Sequence, residues 1–127
     1  MCLILSARNR YGKPQIATED IYVYKAVIDN SQKQSTHHKK GILTLYREKP
    51  IKIGSTYRSK FSFDHEGDIE QGLHCFMYRH DAEAVCQCFT YRKAVKCVIP
   101  KGSSYYKGWF SGVSCYASNK LTYLEFI

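Results

Sequence analysis

Six side chains in this chain have types that suit an anionic ligand: Tyr24, Lys25, His74, Tyr105, Tyr106 and Glu125. Lys25 is the one charged residue in Ile21-Tyr-Val-Tyr-Lys-Ala-Val-Ile28, a stretch otherwise apolar or aromatic on both faces. Lys25 would pair with a phosphate or carboxylate of the ligand. His74 sits in Gly72-Leu-His-Cys-Phe-Met-Tyr78, where it would orient a ligand. Tyr105 and Tyr106 would stack and donate hydrogen bonds. Glu125 shares a face with Leu121, Tyr123 and Ile127 by simple alternation, which would place a carboxylate among apolar groups and raise its pKa. An enzyme built here would use Glu125 and His74 as its catalytic pair. A solvated glutamate near the chain end is the plainer account of Glu125.

Other chemistries find less support. Cys75, Cys86 and Cys88 with His74 are soft ligands close in sequence, but the paired Cys-x₂₋₄-Cys knuckles of structural zinc are absent, so no metal and no cofactor is expected. Cys86 falls on a helical apolar stripe and Cys75 and Cys97 fall in strands, where free cysteine packs as a small hydrophobe. His74 and Cys75 are adjacent in one strand and point to opposite faces, so they are not a nucleophile–base pair. Cys2 after Met1 suggests an N-terminal nucleophile, yet Leu-Ile-Leu follows it where small, glycine-rich residues would be needed.

Composition sets the frame for these groups. The chain has 127 residues, 44% hydrophobic and 14% aromatic, enough for one domain (1–127) with a true core. Nineteen Lys and Arg against eleven Asp and Glu give a net charge of +8, which favours anionic partners: a nucleotide-like small molecule, an acidic protein surface or nucleic acid. The basic loop at 29–40, with Lys33 and His37-His38-Lys39-Lys40, and the aromatics Tyr105, Tyr106, Trp109 and Phe110 offer a nucleic-acid alternative, although a solvated loop explains the same residues. No apolar run approaches a membrane span and no signal-peptide core opens the chain, so a cytoplasmic protein with reduced thiols is expected.

The elements that position these groups follow from periodicity. Leu73, Cys75 and Met77 alternate with His74, Phe76 and Tyr78 as a strand. Ala82, Val85, Cys86 and Phe89 then recur at i, i+3, i+4 and i+7, predicting a helix over about 80–91. Val95, Cys97 and Ile99 resume the strand period until Pro100-Lys-Gly102. Ile21–Ile28 reads as a central strand, Cys2–Leu5 as a short one, and Leu121–Ile127 as the closing one. Ile42–Tyr46 and Lys52–Phe63 are weaker strand candidates. Ser103–Gly112 reads as a glycine-punctuated aromatic loop. The sum is an α+β domain, a mostly antiparallel twisted sheet carrying one main helix.

Two resemblances attach to these residues. The order Ile21-Tyr-Val-Tyr-Lys25, Ile53-Gly-Ser-Thr-Tyr57, Gly72-Leu-His74, Val95-Lys-Cys-Val-Ile-Pro-Lys-Gly102 and Tyr116-Ala-Ser-Asn-Lys-Leu121 resembles small protein families of bacteria and their phages with "YK", "G-x-x-Y" and "G-F-H" signatures. Those families carry no assigned activity. The likeness implies a bacterial or phage protein, in the host cytoplasm if phage-encoded. At fold level, Gly72-Leu-His-Cys-Phe76 ahead of Ala82, with Glu125 on a late strand, resembles ADP-ribosyltransferase-like domains. That resemblance implies an NAD cleft in which Glu125 polarises a ribose hydroxyl. Tyr24 and Lys25 stand where that family places a His or Arg. The leading expectation is therefore a non-catalytic binding protein for an anionic ligand, with the NAD-cleaving enzyme and the nucleic-acid binder as alternatives.

Overall fold

A computed structural model describes residues 13–29, 41–45, 49–87 and 89–127. The expected strand at Cys2–Leu5, most of the basic loop and Cys88 lie outside them. In chain order the elements are β1 (Gln15–Ile16), β2 (Ile21–Asp29), β3 (Ile42–Thr44), β4 (Pro50–Ile51), β5 (Thr56–Arg58), β6 (Ser62–Phe63), β7 (Ile69–Gln71), β8 (Leu73–Phe76), α1 (Arg79–Cys86), β9 (Arg92–Ile99), β10 (Ser104–Phe110), β11 (Val113–Ser118) and β12 (Lys120–Phe126). Every strand pairing among them is antiparallel. The main sheet runs β1-β10-β11-β8-β2-β9-β12-β5, with β3 on β2 and β4 on β3, and β6–β7 forms a separate hairpin. The mostly antiparallel sheet was expected; the helix is a smaller part of the fold than the sequence suggests.

β2 is central because both of its faces are apolar, as its composition requires. Its ladder with β9 runs unbroken from Ile21↔Ile99 to Ile28↔Arg92. On one face Val23 and Val27 join Cys75, Val95, Cys97, Ile99, Leu121 and Tyr123 in the principal core. Ala17, beside β1 at one end of the sheet, and Tyr57 of β5 at the other pack into that same cluster, so the sheet must curl strongly. A second core on the opposite face joins Ile69, Tyr106, Cys115 and Ala117 under the β6–β7 hairpin. Asp64 shapes that hairpin by accepting the backbone N–H groups of Glu66 at 2.9 Å and Asp68 at 3.0 Å. Gly72 lets the chain pass from β7 to β8, since a Cβ there would meet Phe61 Cδ1 at 3.3 Å and Ala117 Cβ at 3.4 Å.

Three sequence expectations are corrected. The helix is Arg79–Cys86, not 80–91. Ala82 is fully buried against the sheet, but Arg92 Nη1 donates to the Val85 carbonyl at 3.1 Å and its guanidinium lies 3.7 Å over the Phe89 ring. That contact satisfies a terminal carbonyl and turns Phe89 outward, 39% exposed, so the fourth residue of the apolar stripe is not helical. Ser103–Gly112 is not a loop: Ser104–Phe110 is a full strand, closed onto β11 by Ser111 (φ 51°) and Gly112 (φ 76°). Two successive positive φ values between paired Phe110 and Val113 are the mark of a tight hairpin turn, which glycine makes accessible. β11 itself has no counterpart among the expected elements.

The third correction concerns β12. Thr122 pairs with Val98 and Tyr123 with Cys97, but Glu125 pairs with Lys96 and Phe126 with Val95. Leu124 is the extra residue of a β-bulge, and a bulge reverses the facing of the residues beyond it. Glu125 therefore lies on the face opposite Tyr123. Leu121, 0% exposed before the bulge, and Leu124, half-buried within it, should separate in energy. Leu121→Ala is expected to lower unfolding free energy by about 2–5 kcal/mol in urea titration, and Leu124→Ala by less than half as much.

Candidate ligand cavity

The same edge of β2 serves two partners. At Tyr24 it pairs with Phe76 of β8, and from Val27 to Asp29 it pairs with β3. Lys25 and Ala26 stand between the two ladders, where β8 leaves to follow β11 and β3 takes over. A cavity of about 810 Å³ opens in that fork. This lies within the range of small-molecule sites, roughly 300–1,000 Å³. Its walls are Leu73, His74, Cys75 and Phe76 from β8, Pro50 and Ile51 from β4, Tyr57 from β5, Tyr123 from β12, and Val85 and Phe110. Lys49, Arg58 and Lys60, all exposed, add positive charge to its lining, and Glu70 adds one carboxylate.

Lys25 spans the fork. Its Nζ donates to the His74 carbonyl oxygen at 2.8 Å, so a side chain supplies a donor where the β2–β8 ladder has come apart. Burial lowers the Lys25 pKa below the ordinary lysine value, with the Cys75 and Cys97 sulfurs partly opposing that shift. The ammonium has two further N–H groups to offer.

His74 is 9% exposed. Its Nδ1 lies 3.1 Å from the Gly72 carbonyl oxygen, which only accepts, so Nδ1 carries the proton of the neutral ring and Nε2 keeps a lone pair. Nε2 is buried with no hydrogen-bond partner. Burial, and then the charge of Lys25, push the His74 pKa down to about 4, against a smaller opposing pull from the Gly72 and Ile69 carbonyls. At neutral pH the imidazole is therefore unprotonated, with Nε2 covered by the fold. Buried polar atoms without partners are few in folded proteins and call for an explanation.

The thiols are poor nucleophiles. Burial raises Cys97 to about 12 and Cys115 to about 11, and holds Cys75 well above the usual thiol range. Tyr123 is likewise held well above the ordinary phenol value by burial. Nucleophilic thiol chemistry needs a lowered pKa, so these sulfurs act as packing atoms. Among the described residues, no three His, Cys, Asp or Glu side chains gather as a metal site would require.

Of the six residues singled out in the sequence, two meet at the cavity: Lys25 and His74. The other four do not line it. Tyr24 faces the opposite side of β2 from Lys25. Tyr105 donates its hydroxyl to Gln15 Oε1 at 2.8 Å at the β1–β10 edge and packs edge-on to Tyr116. Tyr106, 5% exposed, sits in the second core with its ring edge-on to Phe61 and Phe63. Glu125 is exposed beside Lys96 because of the bulge. Tyr57, Tyr123, Lys49, Arg58 and Lys60 line the cavity without having been singled out. Their only signal was the weak alternation of Lys52–Phe63 and the strict alternation ending at Tyr123.

No family model, curated protein or solved structure matches this chain.

The lowered His74 pKa has a consequence for stability. The unfolded chain binds a proton at His74 near pH 6.5 and the folded chain only near pH 4, so stability is fully present above pH 6.5 and is lost as pH falls toward 4. The loss is about 3 kcal/mol by linkage. His74→Gln removes this proton uptake, so its unfolding free energy should fall less than wild type between pH 7 and pH 4. Parallel urea titrations at the two pH values measure the difference. The thiol reading is checked by alkylation at pH 8 with peptide mapping: Cys75, Cys97 and Cys115 should resist labelling in the folded protein and react after denaturation.

Proposed function

We propose that this chain is a non-catalytic binding protein that takes an anionic small molecule with an apolar or aromatic body in the fork cavity. The observation that carries this reading is Lys25, its Nζ held by the His74 carbonyl oxygen in the wall of a cavity of about 810 Å³. A half-buried cation held against a neutral carbonyl in a largely apolar hollow costs stability, and such groups concentrate where ligands bind. Ile51, Leu73, Phe76 and Tyr57 would cover the apolar part of the ligand. Lys49, Arg58 and Lys60 would hold its anionic group, by point charge from the lysines and a bidentate fork from the arginine.

A concave site of this size favours a small molecule over an acidic protein surface. The NAD-cleaving alternative needs Glu125 at the ligand, and Glu125 is outside the lining. The nucleic-acid alternative rests on the basic loop, most of which lies beyond the described residues. Cys75, Cys86, Cys97 and Cys115 are free thiols, which suits the reducing cytoplasm this reading assumes. No helix among the described residues is long and apolar enough to cross a membrane.

A thermal-shift panel of nucleotides, aryl phosphates and aromatic carboxylates tests the proposal, followed by calorimetry on any hit. A ligand at 100 times its Kd should stabilise the fold by about 2.7 kcal/mol. Lys25→Met should weaken that ligand at least tenfold without lowering the melting temperature by more than a few degrees, because it also removes a buried charge. A panel without a single shift, or a hit indifferent to Lys25→Met, overturns the reading.

A further inference from the structure

Lys25 is held unlike the other lysine whose partner is clear in this sheet. Lys93 Nζ sits 2.9 Å from Asp29 Oδ2, an exposed lysine paired with a largely covered carboxylate. Lys25 Nζ instead bonds to a neutral carbonyl, and among the described residues no carboxylate lies within ion-pair distance of it. Two thiols, Cys75 and Cys97, lie near it, and both stay protonated at neutral pH, so neither supplies a counter-charge. The amine is thus fixed in position but not neutralised by a counter-ion, and it forms part of the wall of a cavity lined mostly by apolar groups. Desolvation without a counter-charge is how proteins make a lysine nucleophilic.

We propose that the Lys25 amine condenses with a carbonyl group of the ligand, so that the fork cavity holds an anionic aldehyde or ketone as an imine. This rests on the reading of the cavity as a ligand site and adds the ligand's reactive group. The ammonium first gives one proton to water. The amine nitrogen then attacks the carbonyl carbon, forming a C–N bond and a carbinolamine. Loss of the former carbonyl oxygen as water, with the two remaining amine protons, leaves the C=N bond. Nothing is oxidised or reduced, and hydrolysis reverses each step. The exposed cations Lys49, Arg58 and Lys60 hold the anionic end while the inner amine meets the carbonyl end.

Pyridoxal 5′-phosphate, an aromatic aldehyde with a phosphate, serves as the probe, and its alcohol counterpart pyridoxine 5′-phosphate as the control that binds without condensing. The full chain is incubated with one equivalent of the aldehyde at pH 7, reduced with borohydride and mapped by peptide mass spectrometry. Lys25 should carry at least tenfold more reduced adduct than Lys49 or Lys60, and the alcohol should compete it away. Lys25→Arg, which keeps the charge and forms no stable imine, should lose the adduct while retaining affinity for the alcohol. Labelling of surface lysines at the rate of Lys25 or faster overturns the imine. Binding of pyridoxine 5′-phosphate with no adduct at Lys25 overturns the imine alone and leaves the cavity reading standing. Failure of the alcohol, of the aldehyde and of the whole ligand panel overturns both.

Discussion

The bond from Lys25 Nζ to the His74 carbonyl is the interaction around which the cavity is built. β2 has a single edge available on that side, and two strands claim it at different heights. Wherever one strand edge changes partner, a few backbone groups lose their ladder, and in a sheet interior water cannot replace it cheaply. A lysine reaches across the opening and supplies one donor. Its stem leaves β2 on the face that carries Val23 and Val27 of the principal core, while its ammonium stays at the cavity wall. Any shorter or apolar residue would leave the carbonyl without this donor.

That single placement sets the electrostatics of the neighbourhood. The buried ammonium depresses the His74 pKa, adding to burial, and so keeps the imidazole neutral. His74 in turn is oriented through Nδ1 by the Gly72 carbonyl, at the point where Gly72 allows β7 and β8 to pass under Phe61. Cation, neutral imidazole and apolar wall are therefore consequences of one fork in the sheet. The cavity is lined from both cores: Ile51, Cys75 and Tyr123 belong to one, and Phe76 and Phe110 to the other.

Some of this was legible along the chain. Strong strands declared themselves through alternation, and β2 stood out because only Lys25 interrupts its apolar character. Lys25 and His74 were singled out on local grounds, and Lys25 Nζ bonds the His74 carbonyl oxygen at the cavity. Other features obeyed local rules until a non-local contact intervened. The apolar stripe of α1 predicted a further turn, but Arg92 from the next strand ends the helix at the Val85 carbonyl. Alternation set Glu125 among apolar residues, but the extra residue at Leu124 turned it outward. Trp109 and the glycines around it suggested a loop, although Tyr105↔Ser118 through Phe110↔Val113 pair as a continuous ladder.

From its residues alone, this chain was determined to be a sheet-dominated antiparallel fold with one helix, a basic surface and a lone charged side chain in its central strand. Period-two patterning and residue polarity are local properties, and they are readable without coordinates. Which strand lies beside which, where β2 exchanges one partner for another, and which side chains therefore face a shared hollow were decided only by tertiary structure. Pairing of strands far apart in sequence depends on loop closure and on the packing of both faces at once, and no local period encodes that choice.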